Sequence, residues 1–195
     1  MNSNNVEESN TDQARLVLSQ HFYGVLSTLS VKFSGHPFGS VVPYCLDYQG
    51  RPLILISRLA QHTRNLQQDP RLSLLVLDRA PPGTRGGNGG NVQTDARLTL
   101  VGKAIRVTDP AQIEACAQRY YRHFPDTAGY HSELDFEFYS LVTDTLRFIP
   151  GFGQACWLSA ERVLKANPFS PEEEHRIVDH MNDDHQDALL HYHQS

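Results

Sequence analysis

The chain has 195 residues, of which 39% are hydrophobic, and a formal net charge of -5. That length and apolar content suffice for one packed core with a small appendage and do not fit a disordered chain. The acidic balance excludes a general attraction to nucleic acid or anionic lipid, so an anionic ligand must be held by locally placed Arg and His.

The opening residues, MNSNNVEESNTDQ, lack the basic start and apolar run of a signal peptide, and no later stretch is apolar for the length of a membrane span. A cytoplasmic protein with a small-molecule partner is expected, with neither nucleic acid nor membrane. Thr11 is placed to cap a short helix through His21. Tyr23 to Val31 is β-rich and ends at the turn residues of Ser34 to Gly39, which reads as the opening of a hairpin. Ser40 to Asp47 and Leu53 to Ser57 are strand candidates, with Pro43 marking an edge or a bulge. Leu59 to Asp69 has the helical spacing Leu59, His62, Leu66 and stops before Pro70, and Arg71 to Asp78 is a further strand.

Arg79 to Asp95 is rich in glycine and has almost nothing apolar, so it reads as a loop outside the core; no GK[ST] follows to make it a phosphate cradle. Arg97 to Val107 alternates as a strand, Pro110 to His123 reads as a helix, and Phe136 to Ile149 returns to strand character before GFGQACWL. Short strands joined by connections too brief for parallel crossovers predict a small barrel with peripheral helices, an α+β but mainly β fold. Two regions are expected, a barrel over residues 11–169 and a C-terminal helical segment over 170–195. Ser170 as cap, Pro171 and Glu172 to Glu174 make a strong helix start, and the helix is expected to run nearly to the C-terminus with an apolar stripe through Ile177, Val178 and Met181.

Several residues and clusters draw attention on chemical grounds. Ser57, Arg58, His62, Thr63 and Arg64 fall at the end of a strand and the first turns of a helix, where unpaired backbone N–H groups and the helix dipole favour an anion. A solvated basic turn gives the same pattern, and both readings stand. Arg97 is a second anion contact or a plain surface arginine. Asp135, among apolar neighbours, is a helix cap or a polar pocket residue, with the cap the simpler reading. The last helix carries His175, His180 and His185, but His180 and His185 are about 140 degrees apart on a helix and cannot form an i,i+4 chelating pair. Cys45, Cys116 and Cys156 lack CxxC spacing and read as reduced structural thiols.

Taken in order, YGVLST, FGSVVPYCLD, GRPLILIS, LAQHTRNLQQDPRLSLLV, ARLTLVG, RYYRHFPDTAGYH, LDFEF and GFGQACWL resemble the HugZ-type heme-utilisation proteins, within the FMN-binding split barrels related to pyridoxamine 5'-phosphate oxidase. The resemblance covers about Ala14 to Leu158, and the segment after Ser170 looks like the start of the small α/β domain that accompanies these barrels. It implies a homodimer with ligand pockets at the subunit interface. In flavin-binding relatives the positions matching Ser57, His62, Thr63 and Arg64 approach the flavin phosphate, and Arg97 lies on a pocket strand. In heme-degrading relatives the positions matching His62, Arg97 and Asp135 line or influence the heme pocket, and a histidine some two dozen residues beyond GFG ligates iron. His175, 24 residues beyond Gly151, is the first choice for that ligand and His180 the second. The implied cofactor is therefore heme or FMN. The implied function is heme utilisation, with or without degradation by oxygen and a reductant; an FMN-dependent oxidoreductase and a non-catalytic carrier are the alternatives.

Overall fold

Alternation of buried and exposed residues marks several of the strands. The computed structural model describes residues 3–78, 95–151 and 154–184. Its elements in chain order are α1 (Ser3–Gln20), β1 (Tyr23–Leu29), β2 (Pro37–Pro43), β3 (Cys45–Leu46), β4 (Pro52–Ser57), α2 (Gln61–Gln68), β5 (Arg71–Asp78), β6 (Ala96–Arg106), α3 (Pro110–His123), α4 (Tyr130–Glu133), β7 (Phe136–Gly151), β8 (Gln154–Ser159), α5 (Ala160–Val163) and α6 (Pro171–Asp184). Two compact units result, Met1–Lys165 and Ala166–Ser195.

The strands form one antiparallel sheet in the order β2-β1-β5-β6-β7-β4-β3, with β8 also paired to β7. Strand β7 organises it. β6 runs along one side of β7, while β4 pairs with its first half and β8 with its second. The register of β6 on β7 shifts at Val101 and Gly102, where a Cβ on residue 102 would lie 2.0 Å from the carbonyl oxygen of Val142. Only glycine permits that approach, so this residue carries the bend.

Each face of the sheet has its own core. Leu26, Ile54, Leu74, Leu98, Leu146 and Phe148 fill the barrel. On the other face, α3 lays Ala117 and Tyr120 over Cys45, Leu53, Leu55 and Phe138. Strand β4 therefore sends alternate residues into two cores, which explains why PLILIS is an unbroken apolar run. Helix α3 starts where the sequence expects, with Asp109 Oδ1 accepting from the Gln112 amide at 2.9 Å and Pro110 following.

Two local expectations are corrected. Thr11 caps nothing: it is buried inside an 18-residue helix, and its hydroxyl donates to the Glu7 carbonyl at 2.8 Å. The hydroxyl is satisfied one turn back, so the helix passes through it. The strand expected over Ser40 to Asp47 starts earlier, at Pro37, and breaks at Tyr44. The Tyr44 amide turns to the Phe22 carbonyl at 2.9 Å, and its phenol enters the core to donate to Leu18 O at 2.9 Å. Pro43 does end an edge strand, since β2 is terminal in the sheet. The expected loop to residue 94, part of the GFG segment (152–153) and the helix beyond 184, with His185, lie outside the described residues.

Candidate functional site

The end of β4 and the start of α2 are fastened by buried polar groups. Thr63 is fully buried and donates to the Ser57 carbonyl at 2.6 Å, while Ser57 Oγ accepts from the Leu59 amide at 3.1 Å. Asn65, also fully buried, donates to Thr28 Oγ1 at 2.9 Å and accepts from the Val31 amide at 3.1 Å and from Gln61 Nε2 at 2.9 Å. These bonds lock α2 against β1 and β4. They leave the helix start itself without a side-chain cap, because Ala60 occupies that position.

Beside that uncapped end, His62 Nδ1 lies 3.1 Å from Ser40 Oγ of β2. Its Nε2 is buried and has no hydrogen-bonding partner in the protein. Burial lowers the pKa of this imidazole, so the ring is neutral near pH 7. Arg64 is exposed on the same helix. Arg58 forms an ion pair with Asp135, and its amide donates to the Asp135 carbonyl at 2.7 Å. Asp135 is thus not a helix cap; it follows α4, whose N-cap is Gly129 and whose C-cap is Leu134. A cavity of about 360 Å³ opens next to this pair, with Arg58, Arg106, His131, Phe136 and Glu137 in its wall.

Arg97 lies elsewhere in the fold. It is half-buried near the start of β6, opposite Leu77 on one side and Ile149 on the other. Ser57 faces Phe136, thirteen residues earlier on β7. Helix α2 is bonded to Thr28, whose cross-strand row runs through Leu72 to Gly102. Arg97 is five residues further along β6, about 17 Å at the usual rise. The structure therefore gathers Ser57, His62, Thr63 and Arg64 and sets Arg97 apart from them.

His175 and His180 lie on α6, in the second unit. His175 is exposed, with Nε2 at 3.1 Å from Asp179 Oδ2 one turn on. The start of α6 is a capping box: Ser170 Oγ accepts from the Glu173 amide at 3.3 Å and Glu173 Oε2 accepts from the Ser170 amide at 2.9 Å. Among the described residues no group of three or more His, Cys, Asp or Glu is placed to hold a metal ion, and no helix is long and apolar enough to cross a membrane. The three cysteines are free; burial pushes the Cys45 thiol up to about 12 and that of Cys116 to about 11.

Ser40 and Asn65 are the members of this end that sequence reasoning misses. Ser40 sits on another strand, 22 residues before His62, and only the sheet brings the two together. Asn65 follows two basic-turn residues and reads as one more polar surface position.

Residues 5–165 match the family described as CREG, beta-barrel. The chain is 31% identical over 192 residues to the chloroplastic non-canonical heme oxygenase HOZ of Arabidopsis thaliana, a match covering 94% of this chain and 56% of that protein. The chain thus spans little more than half the length of that relative. The structure of a heme binding protein from Mycobacterium smegmatis aligns with a TM-score of 0.66 and 30% identity, covering 93% of this chain and 71% of that one. A putative pyridoxamine 5'-phosphate oxidase from Listeria innocua shares the fold alone, with a TM-score of 0.54, 17% identity and coverage of 72% and 98%. The chain belongs to the CREG beta-barrel family and has the HugZ-type split-barrel fold related to pyridoxamine 5'-phosphate oxidase.

Proposed function

We propose that the protein binds heme at the interface of a cytoplasmic homodimer and supports opening of the porphyrin with oxygen and an external reductant. The observation that carries this reading is the α2 end: an uncapped helix start, the exposed Arg64 and a buried His62 Nε2 without a protein partner. Relatives named for heme binding and heme oxygenation support it.

The donor set fits the acidic groups of heme. N–H groups of the first turn of α2 and the Arg64 guanidinium suit a carboxylate, and Arg97 suits a second one. Arg64 stands on α2 and Arg97 on β6, and in this reading one copy supplies the α2 end and the other supplies Arg97. Ser57 and Thr63 act from behind by fixing the helix on the strand. Bound heme supplies an iron that takes up oxygen. His175 would hold the iron through an imidazole nitrogen, with His180 the second choice; Asp179 Oδ2 lies 3.1 Å from His175 Nε2. Asp135, held at the surface by Arg58, supplies a carboxylate for hydrogen bonding to a ligand or water.

A second reading follows from the same geometry, because an uncapped helix start takes a flavin phosphate as readily as a propionate. The protein is then an FMN-binding oxidoreductase, and a third reading is a carrier that binds heme or flavin without turnover. Absorption spectra of the purified protein, alone and with added hemin or FMN, separate them. A Soret band on hemin addition that disappears in His175→Ala is expected; flavin bands with no uptake of hemin would overturn the heme reading. Loss of the Soret band under ascorbate and oxygen is expected of the enzyme, and its persistence would leave a carrier.

A further inference from the structure

A second cavity, of about 370 Å³, opens between α3, the β3–β4 turn and the sheet, and it shares no residue with the Ser57–Arg64 end. Its floor is a cross-strand row, Leu53 of β4, Ser140 of β7 and Ile105 of β6, extended by Val142 and Val107. One wall is a single face of α3, since Gln112, Ala115, Cys116 and Arg119 recur at helical spacing. The other wall is the turn from Asp47 to Arg51.

Three arginines from three different elements, Arg51, Arg106 and Arg119, meet around this space, against one lining carboxylate. That carboxylate is fully engaged. Asp47 Oδ1 accepts from the Gln49 and Arg51 amides, both at 2.9 Å, and Oδ2 accepts from Arg51 Nε and Ser140 Oγ, both at 3.0 Å. Asp47 thus serves to orient Arg51 and offers no open oxygen to a cation. Arg119 is oriented too: its Nε donates to the Leu46 carbonyl and its guanidinium lies 4.7 Å from the Tyr48 ring centroid. Arg106 is paired with Glu137 at 3.0 Å, a residue that lines the neighbouring cavity. The three guanidinium groups thus border an apolar floor, Arg51 bonded to Asp47 and Arg106 to Glu137. Burial pushes the Cys116 thiol in the α3 wall up to about 11, so it is uncharged at neutral pH.

We propose that this cavity is a second small-molecule site that takes an organic anion, with an apolar body on the Leu53–Ile105–Val142 floor and a carboxylate or phosphate among Arg51, Arg106 and Arg119. Its volume lies at the small end of the range of ligand pockets, roughly 300–1,000 Å³, which suits a metabolite the size of an aromatic acid or a phosphorylated ring.

Titration of the full chain with phenyl phosphate, benzoate and inorganic phosphate, followed by amide resonances in ¹H–¹⁵N spectra, tests it. Saturable shifts at Gln112, Ala115 and Tyr48 are expected, with phenyl phosphate binding at least about tenfold more tightly than inorganic phosphate because the floor contributes apolar contact. The relative strength of benzoate tells a carboxylate site from a phosphate site. Arg106→Gln should weaken phenyl phosphate about tenfold and Val142→Trp, which fills the cavity from an exposed position, should abolish binding; Arg64→Gln should leave it unchanged. Shifts confined to α2, shifts that do not saturate, or shifts equal for phosphate and phenyl phosphate would overturn the proposal, as would unaltered binding in both cavity variants. The wild-type shift map decides the matter even where a variant folds poorly.

Discussion

The α2 end and the Arg97 end of the sheet are both basic, yet they are built in opposite ways. At α2, Ala60 gives the helix start no capping side chain, and polar side chains of the helix are committed elsewhere: Thr63 to the strand, Asn65 to β1 and His62 to β2 through Ser40. The result is a rigid platform whose helix N-terminus and one imidazole nitrogen remain for a ligand. Arg97 is a single residue on a regular strand between Leu77 and Ile149. One end is preorganised and the other contributes a single charge; in the proposed dimer a cofactor draws one end from each copy.

Breaking the platform should have the largest effect. Asn65→Ala removes a fully buried amide with three hydrogen bonds, strips Thr28 Oγ1 of its donor and leaves the Val31 amide unpaired; a loss of about 3 kcal/mol in urea unfolding is expected. Thr63→Val, which strips the bond to the Ser57 carbonyl but keeps the shape, should cost less, about 1–2 kcal/mol by the same measurement. In both variants hemin affinity should fall along with stability. A drop in stability with hemin uptake intact would show that the platform has no part in the site.

At the other end the effect should be purely on binding. Arg97→Ala should weaken hemin about tenfold, the loss of one charge-assisted contact, and leave the unfolding midpoint almost unchanged. The contrast between Asn65→Ala and Arg97→Ala is the sharpest expression of the difference between the two ends.

A pH effect follows from His62. Its folded pKa is lowered below the ordinary 6.5, so in acid the unfolded chain binds the proton more readily than the folded one. The stability that its neutral form contributes is complete above 6.5 and is lost as the pH falls from there through the lowered folded value. His62→Gln should flatten that part of the stability-versus-pH curve, read from denaturation midpoints at stepped pH. An identical acid loss in the variant would place the cause on other groups. The smallest effect belongs to Asp135→Asn: its ion pair with Arg58 is more than half exposed at both partners, and exposed pairs contribute about 0–1 kcal/mol.

The strands were legible because their signal is local. Arg71–Asp78 and Pro110–His123 match the expected ranges, since alternation in the first and Asp109–Pro110 in the second act over a few residues. The first half of α1 was not legible, because its polar residues give no period and Thr11 looks like a start. The site was legible only in part. Ser57, His62, Thr63 and Arg64 are close in sequence and stay close in space, whereas Ser40 joins them only through the β1–β2 hairpin. The separation of Arg97 from α2 is a property of sheet register, set by pairing across β1, β5 and β6, and no local pattern encodes it.

The central claim, that the cofactor site takes its two ends from two copies, is tested most directly by mixing. Arg64→Ala and Arg97→Ala variants are each expected to bind hemin weakly; after unfolding and co-refolding at equal amounts, mixed dimers carry one site with both ends intact and one with neither. Hemin titration followed at the Soret band should then recover high-affinity uptake at about a quarter of the sites. No recovery, with each variant folded on its own, would mean that both ends act within one chain or on different ligands, and would contradict the account.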